Sequence, residues 1–157
     1  NGNQNEVVHA TSSTAGHGTN AKLNSIFDEW VESNGTTITM AAPYNTYNIS
    51  VSAVSSSNYI LSGTDRNGSV SGNDPTVTVT AGDTINFNIS APGHPFYIKT
   101  VYVGGSGSQV STGTITGTQG TTNSTLSWNT SGVSAGTYYY VCSPHASFGM
   151  GGSIVVT

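Results

Sequence analysis

Hydrophobic and polar residues alternate with a period of two in several segments of this chain, which is the signature of half-buried strands. Tyr47–Ala53 (YNISVSA), Thr76–Thr80 (TVTVT) and Thr84–Ile89 (TINFNI) show it most clearly. Thr36–Met40, Tyr59–Leu61, Phe96–Val103 (FYIKTVYV), Thr125–Asn129 (TLSWN), Thr137–Cys142 (TYYYVC) and Ser153–Val156 are further predicted strands. The separators Asp65–Asn73, Ala81-Gly82-Asp83, Gly104–Gly120 and Ser131–Gly136 are rich in turn residues. Eight or nine short strands with such spacing predict an all-β fold, a Greek-key antiparallel β-sandwich.

One segment breaks the pattern. In 21–33 (AKLNSIFDEWVES), Leu23, Ile26, Phe27 and Trp30 recur at i, i+3, i+4 and i+7, which predicts a short helix capped by Asn20 and stopped by Asn34-Gly35. Residues 1–20 are polar, without sustained periodicity, and read as an extended arm. The expected organisation is therefore an arm and short helix over 1–43, followed by the sandwich over 44–157.

Composition narrows the function classes. Of 157 residues only 6% are charged, against about 25% in a typical soluble domain, so the polar surface comes from Ser, Thr, Asn and Gly. Three basic residues (Lys22, Arg66, Lys99) and a net charge of −4 leave no cluster to displace counterions from nucleic acid. No apolar run approaches a membrane span. Asn1–Glu6 has neither the basic nor the apolar region of a signal peptide, which fits a chain after cleavage or a fragment equally.

Cys142 is the single cysteine, so no internal disulfide is available. Its surroundings, GTYYYVCSPHASFGMGGSIVVT over 136–157, offer a thiolate, an imidazole and a thioether with the spacing Cys142-x2-His145-x4-Met150. Pro144 stiffens the turn before His145, and Gly149, Gly151 and Gly152 let the chain fold tightly around Met150. These donors are soft or borderline. Two histidines and a cysteine in a plane, with a weak axial methionine, form a blue-copper site, whereas a structural zinc site gathers more Cys or His. The missing imidazole is supplied by His94, held between Pro92-Gly93 and Pro95 at the junction of two predicted strands. His9 and His17 lie in the polar arm.

With these residues in view, 44–157 resembles the cupredoxin (type 1 blue copper) family, and plastocyanin most closely. Gly136–Val156 is similar to the family's GTY-aromatic-C-x-P-H-x4-M-x-G ending, and Asp74–Phe87 (DPTVTVTAGDTINF) to its strand–AGDT–strand signature. The resemblance implies His94, Cys142 and His145 as equatorial ligands and Met150 as the axial ligand of one copper ion cycling between Cu(I) and Cu(II). It also implies a carrier of single electrons rather than an enzyme, with the exposed edge of His145 as the exit, redox proteins as partners and an extracytoplasmic setting. Residues 1–43 have no counterpart in that pattern, and the docking patch of acids used by plastocyanins is not visible. These departures, with the low charge, leave a rival reading: a structural or surface-assembly module that self-associates through its N-terminal extension. A multicopper oxidase or nitrite reductase fragment would need more histidines than the four present. Phe96, Phe148 and Tyr138–Tyr140 are expected to pack around the site, and Trp128 in the core.

Overall fold

The computed structural model describes residues 29–31, 37–39 and 43–157. The chain divides into two compact units, Asn1–Pro43 and Tyr44–Thr157. In the first, β1 (Glu29–Val31) pairs antiparallel with β2 (Thr37–Thr39), placing Trp30 opposite Ile38. The expected helix therefore does not extend through 29–31, and its remaining residues, like the arm, lie outside the described ones. Asn34-Gly35, read as a helix stop, also lies outside the described residues.

The second unit is a sandwich of two sheets. The first contains β3 (Thr46–Ser52), β4 (Ile60–Asp65), β5 (Gly68–Asn73), β7 (Thr84–Ser90), β9 (Thr114–Thr116) and β10 (Thr125–Asn129), in the order β5-β4-β3-β7-β10-β9. The second contains β6 (Val77–Val79), β8 (Phe96–Lys99), β11 (Gly136–Cys142) and β12 (Gly151–Val156), in the order β6-β12-β11-β8. Neither sheet is purely antiparallel: β3 runs parallel to β7, and β6 parallel to β12. A strand that crosses between sheets returns beside a partner of the same direction, which alternation alone does not encode.

Period-two burial makes the core. Ile49 and Val51 of β3, Ile85, Phe87 and Ile89 of β7, and Leu126 and Trp128 of β10 point inward, and meet Phe96, Ile98, Tyr140 and Ile154 from the facing sheet. Four aromatics interlock at its centre. Phe96 stacks on Tyr140 with centroids 5.7 Å apart, Phe87 lies 5.0 Å from Phe96, and Tyr59 lies 5.2 Å from Phe96. Offset and tilted rings at such distances add to the area they bury. Trp128 is fully buried and donates its indole N–H to the Thr112 carbonyl at 3.0 Å.

The turn Ala81-Gly82-Asp83 has a physical reason for its composition. Asp83 is fully buried, and its carboxylate accepts from Arg66 Nη2 at 2.7 Å, Arg66 Nε at 3.2 Å, and the backbone N–H groups of Asn45 and Thr80, both at 2.8 Å. Buried Thr130 completes the turn: its hydroxyl accepts from Gly82 N and is placed to donate to Asp83 O.

Three predicted boundaries change. Asp65–Asn73, expected to be a turn, is the hairpin of β4 and β5, where Thr64 pairs with Ser69. Its Ser and Gly residues are polar edge-strand positions rather than loop. Gly104–Gly120 contains the short β9, paired with β10. The strand expected over Phe96–Val103 ends at Lys99, after which Val101, Tyr102 and Val103 emerge at the surface.

Candidate metal centre

Strand register brings the first histidine to the cysteine. Cys142, the last residue of β11, pairs with Phe96, the first residue of β8, so His94 two positions upstream lies beside the thiol. The tight turn after β7 is closed by His94 N donating to Ala91 O at 3.0 Å, with Gly93 at φ +79, a left-handed conformation that suits glycine. Ser143 N donates to Pro95 O at 3.1 Å and fastens the two ligand-bearing segments together.

After Cys142 the chain enters a single 3-10 turn, Ala146–Phe148, ended by Gly149 in the left-handed region at φ +92. Phe148 N donates to His145 O at 2.9 Å, Met150 N to the same carbonyl at 3.3 Å, and Cys142 N to Met150 O at 3.1 Å. The loop is therefore closed on itself by backbone bonds. It returns as β12, with Gly151 opposite Val141. Met150 is fully buried at the foot of this loop.

The result is a convergence of three donors. His94 Nδ1 lies 3.1 Å from His145 Nδ1, and Cys142 Sγ lies 3.4 Å from His145 Nδ1 and 3.8 Å from His94 Nδ1. Among the described residues these three form a group whose ligand atoms all lie within 4.8 Å of one another. An ion about 2.0 Å from each nitrogen and about 2.3 Å from sulfur, in a trigonal plane, requires donors about 3.5 Å apart for N–N and about 3.7 Å for N–S. The observed edges of 3.1, 3.4 and 3.8 Å lie within about 0.4 Å of these lengths. The donor set itself, two imidazoles and a thiol without a carboxylate, suits copper.

The electrostatics of the three side chains suit a cation. Burial holds the His94 imidazole below its ordinary pKa, and the nearby His145 pushes it the same way, so its nitrogen lone pair is free for a metal. Burial pushes the Cys142 thiol up, against opposing hydrogen bonds from Tyr59 and the His145 backbone. Metal binding must therefore expel the thiol proton.

His94 and His145 are half-buried while Cys142 is fully buried. Phe148, expected to pack around the site, is 69% exposed with its ring 6.1 Å from His145, so it forms a rim rather than a lid. Tyr102 packs edge-on to Tyr139 at 5.8 Å and abuts Gly151.

Two contributors escape sequence inspection. Tyr59, fully buried, donates its hydroxyl to His94 O at 3.0 Å. Lys99 is also buried, and its ammonium donates to the carbonyls of Val103 at 2.8 Å, Gly104 at 3.3 Å and Gly105 at 2.6 Å, with Tyr97 beneath it. Gly105 N in turn donates to Ser143 O at 3.0 Å, which docks that loop on the residue after Cys142. Neither residue sits in a motif; only their long-range partners mark them.

The family model for copper binding proteins of the plastocyanin/azurin family matches residues 43–157. Among solved structures, rusticyanin from Thiobacillus ferrooxidans is 21% identical, with 89% of this chain and 95% of that one covered and a TM-score of 0.43. A pseudoazurin from Sinorhizobium meliloti is 22% identical over 73% of this chain and 75% of that one, with a TM-score of 0.42. No curated protein matches the chain. The cofactor that the family and the His–Cys–His cluster assign is one copper ion. With its Tyr44–Thr157 sandwich and this donor triangle, the chain belongs to the plastocyanin/azurin family of copper-binding proteins.

Proposed function

We propose that this protein carries single electrons between redox partners by means of a type 1 copper site. In this reading His94, Cys142 and His145, together with Met150, would hold the copper ion. The observation that carries it is the convergence of two Nδ1 atoms and one Sγ from separate segments within 4.8 Å. Copper bound there supplies a one-electron couple.

The chain's own residues do the rest. The 3-10 turn and the backbone bonds of the 142–150 loop hold the donors in place through both oxidation states, which keeps reorganisation small. Buried Phe96, Tyr59 and Met150 exclude water from the sulfur side. The half-buried His145, beside exposed Phe148, is the route by which an electron leaves. All the donors come from the protein, so no position is set aside for a substrate, and the role is that of a carrier rather than an enzyme. The exposed, uncharged Phe148 beside His145 suits a partner that docks by surface burial rather than by charge pairing. An extracytoplasmic location accords with this reading.

The test is addition of Cu(II) to reduced protein, with copper quantitation and a visible spectrum. One copper per chain and an intense Cys-to-copper charge-transfer band are expected, with the band lost in Cys142→Ser. A colourless, copper-free product overturns the reading.

A further inference from the structure

We propose that Lys99 is a positioning residue of the copper site: its buried ammonium gathers the 103–105 loop against Ser143 and so holds the segment between Cys142 and His145. This rests on the copper-carrier reading and adds to it a residue outside the ligand loop.

Lys99 is fixed at both ends. Its backbone lies in β8 opposite Tyr139 of β11 and bridges to Gln109, while Thr100 N donates to Ser108 O at 2.9 Å and closes the neck of the 100–108 loop. Its side chain has no solvent exposure, and the ammonium donates to Val103 O at 2.8 Å, Gly104 O at 3.3 Å and Gly105 O at 2.6 Å. Three N–H donors thus meet three carbonyls. Among the described residues the one ion pair is Arg66–Asp83, so these carbonyls and the Tyr97 ring, 5.3 Å away, are what replaces the hydration of the ammonium.

The loop held in this way grips the backbone of the site. Both backbone groups of Gly105 are engaged: its carbonyl accepts from Lys99, and its N–H donates to Ser143 O at 3.0 Å. Ser143 N donates to Pro95 O at 3.1 Å, so the residue after Cys142 is held from the His94 side and from the Lys99 side. Pro144 comes next and has no N–H with which to fasten that stretch otherwise. The loop's own residues fit the contact. Gly105 has φ +75, and a Cβ on Gly104 would lie 2.9 Å from Ser143 O and 3.6 Å from the Ala146 Cβ. Val101 and Val103 are exposed, and the loop is drawn inward at 103–105 by the ammonium rather than by apolar burial.

Lys99→Met keeps the stem and removes the ammonium. Gly104→Ala keeps the ammonium and drives a Cβ against Ser143 O, at a position whose backbone is not left-handed. In the metal-free protein both should speed hydrogen exchange at Gly105 N. With copper bound, both should keep one copper per chain, shift the charge-transfer band and lower the potential, because freer donors let Cu(II) approach the tetragonal geometry it prefers. The Cu(I)/Cu(II) ratio at fixed ambient potential should fall about tenfold in Lys99→Met, which is about 59 mV for one electron, and in the same direction in Gly104→Ala. Gly107→Ala is the control: that glycine belongs to the same loop with open space around it, and exchange, band and potential should not move. Gly104→Ala reads the contact with the charge intact, and answers the question even where Lys99→Met does not fold. Unchanged band and potential in Gly104→Ala, whatever Lys99→Met shows, or an equal change in Gly107→Ala, overturns the proposal. A parent protein with no charge-transfer band instead overturns the copper-carrier reading itself.

Discussion

Replacing Asp83 by asparagine tests whether a buried carboxylate holds the β6–β7 corner. The substitution preserves shape and volume and removes only charge and acceptor capacity. In the native protein one carboxylate with no solvent exposure accepts two bonds from Arg66 and two from backbone N–H groups. An amide at this place presents one oxygen and one NH2, so at least one former donor faces another donor. Hydrogen bonds to a charged group contribute about 1.5–3 kcal/mol each. Breaking a buried ion pair from one side costs about 3–5 kcal/mol. Because the four bonds share one group their losses do not add, and Arg66, 24% exposed, recovers part of its hydration. The expected loss is therefore about 3–4 kcal/mol, a large part of the 5–15 kcal/mol typical of a domain. Urea unfolding of the metal-free protein measures it, with the slope unchanged if the native state is otherwise intact. A loss under about 1 kcal/mol would show that the pair behaves as a surface ion pair and would refute this account of the turn.

Other outcomes follow from the same contacts. Lys99→Met removes the donor shared by the carbonyls of Val103, Gly104 and Gly105; it should cost about 2–3 kcal/mol and speed hydrogen exchange at Gly105 N, and unchanged exchange there refutes the clamp. Gly151→Ala would drive a Cβ into the Tyr140 carbonyl oxygen at φ +147. It should destabilise the fold by about 2 kcal/mol or more, seen as a lower urea midpoint, whereas Gly132→Ala, with open space around it, should cost less. Copper affinity should depend on pH with a definite sign. Burial pushes the Cys142 thiol above its ordinary range and the His94 imidazole below its own, so above neutral pH the thiol proton is still bound while the His94 proton is already gone. Apparent Cu(II) affinity should then climb about tenfold per pH unit, measured by chelator competition; a flat profile would remove the thiol from the ligand set.

What could be read from the sequence was whatever lies close together along it. Cys142, His145 and Met150 fall within nine consecutive residues, so their spacing and flanking glycines point to a loop of soft-metal donors from the sequence alone. Alternation in β3, β7 and β10 exposed the buried faces for the same reason, since a strand's periodicity is a local property. Polar hairpins were less legible. Gly68–Asn73 is a strand because β4 pairs with it, not because its Ser and Gly residues favour one. Likewise Trp30 sits on a helical stripe in sequence yet pairs with Ile38, as pairing overrides a short amphipathic pattern. His94 was a candidate by chemistry alone, 48 residues from Cys142. Only the Phe96–Cys142 register placed its Nδ1 within 3.1 Å of His145. Tyr59 and Lys99 were beyond reach for a related reason: a phenol or ammonium acquires its role from carbonyls that folding alone brings to it, and no pattern of neighbours records that meeting.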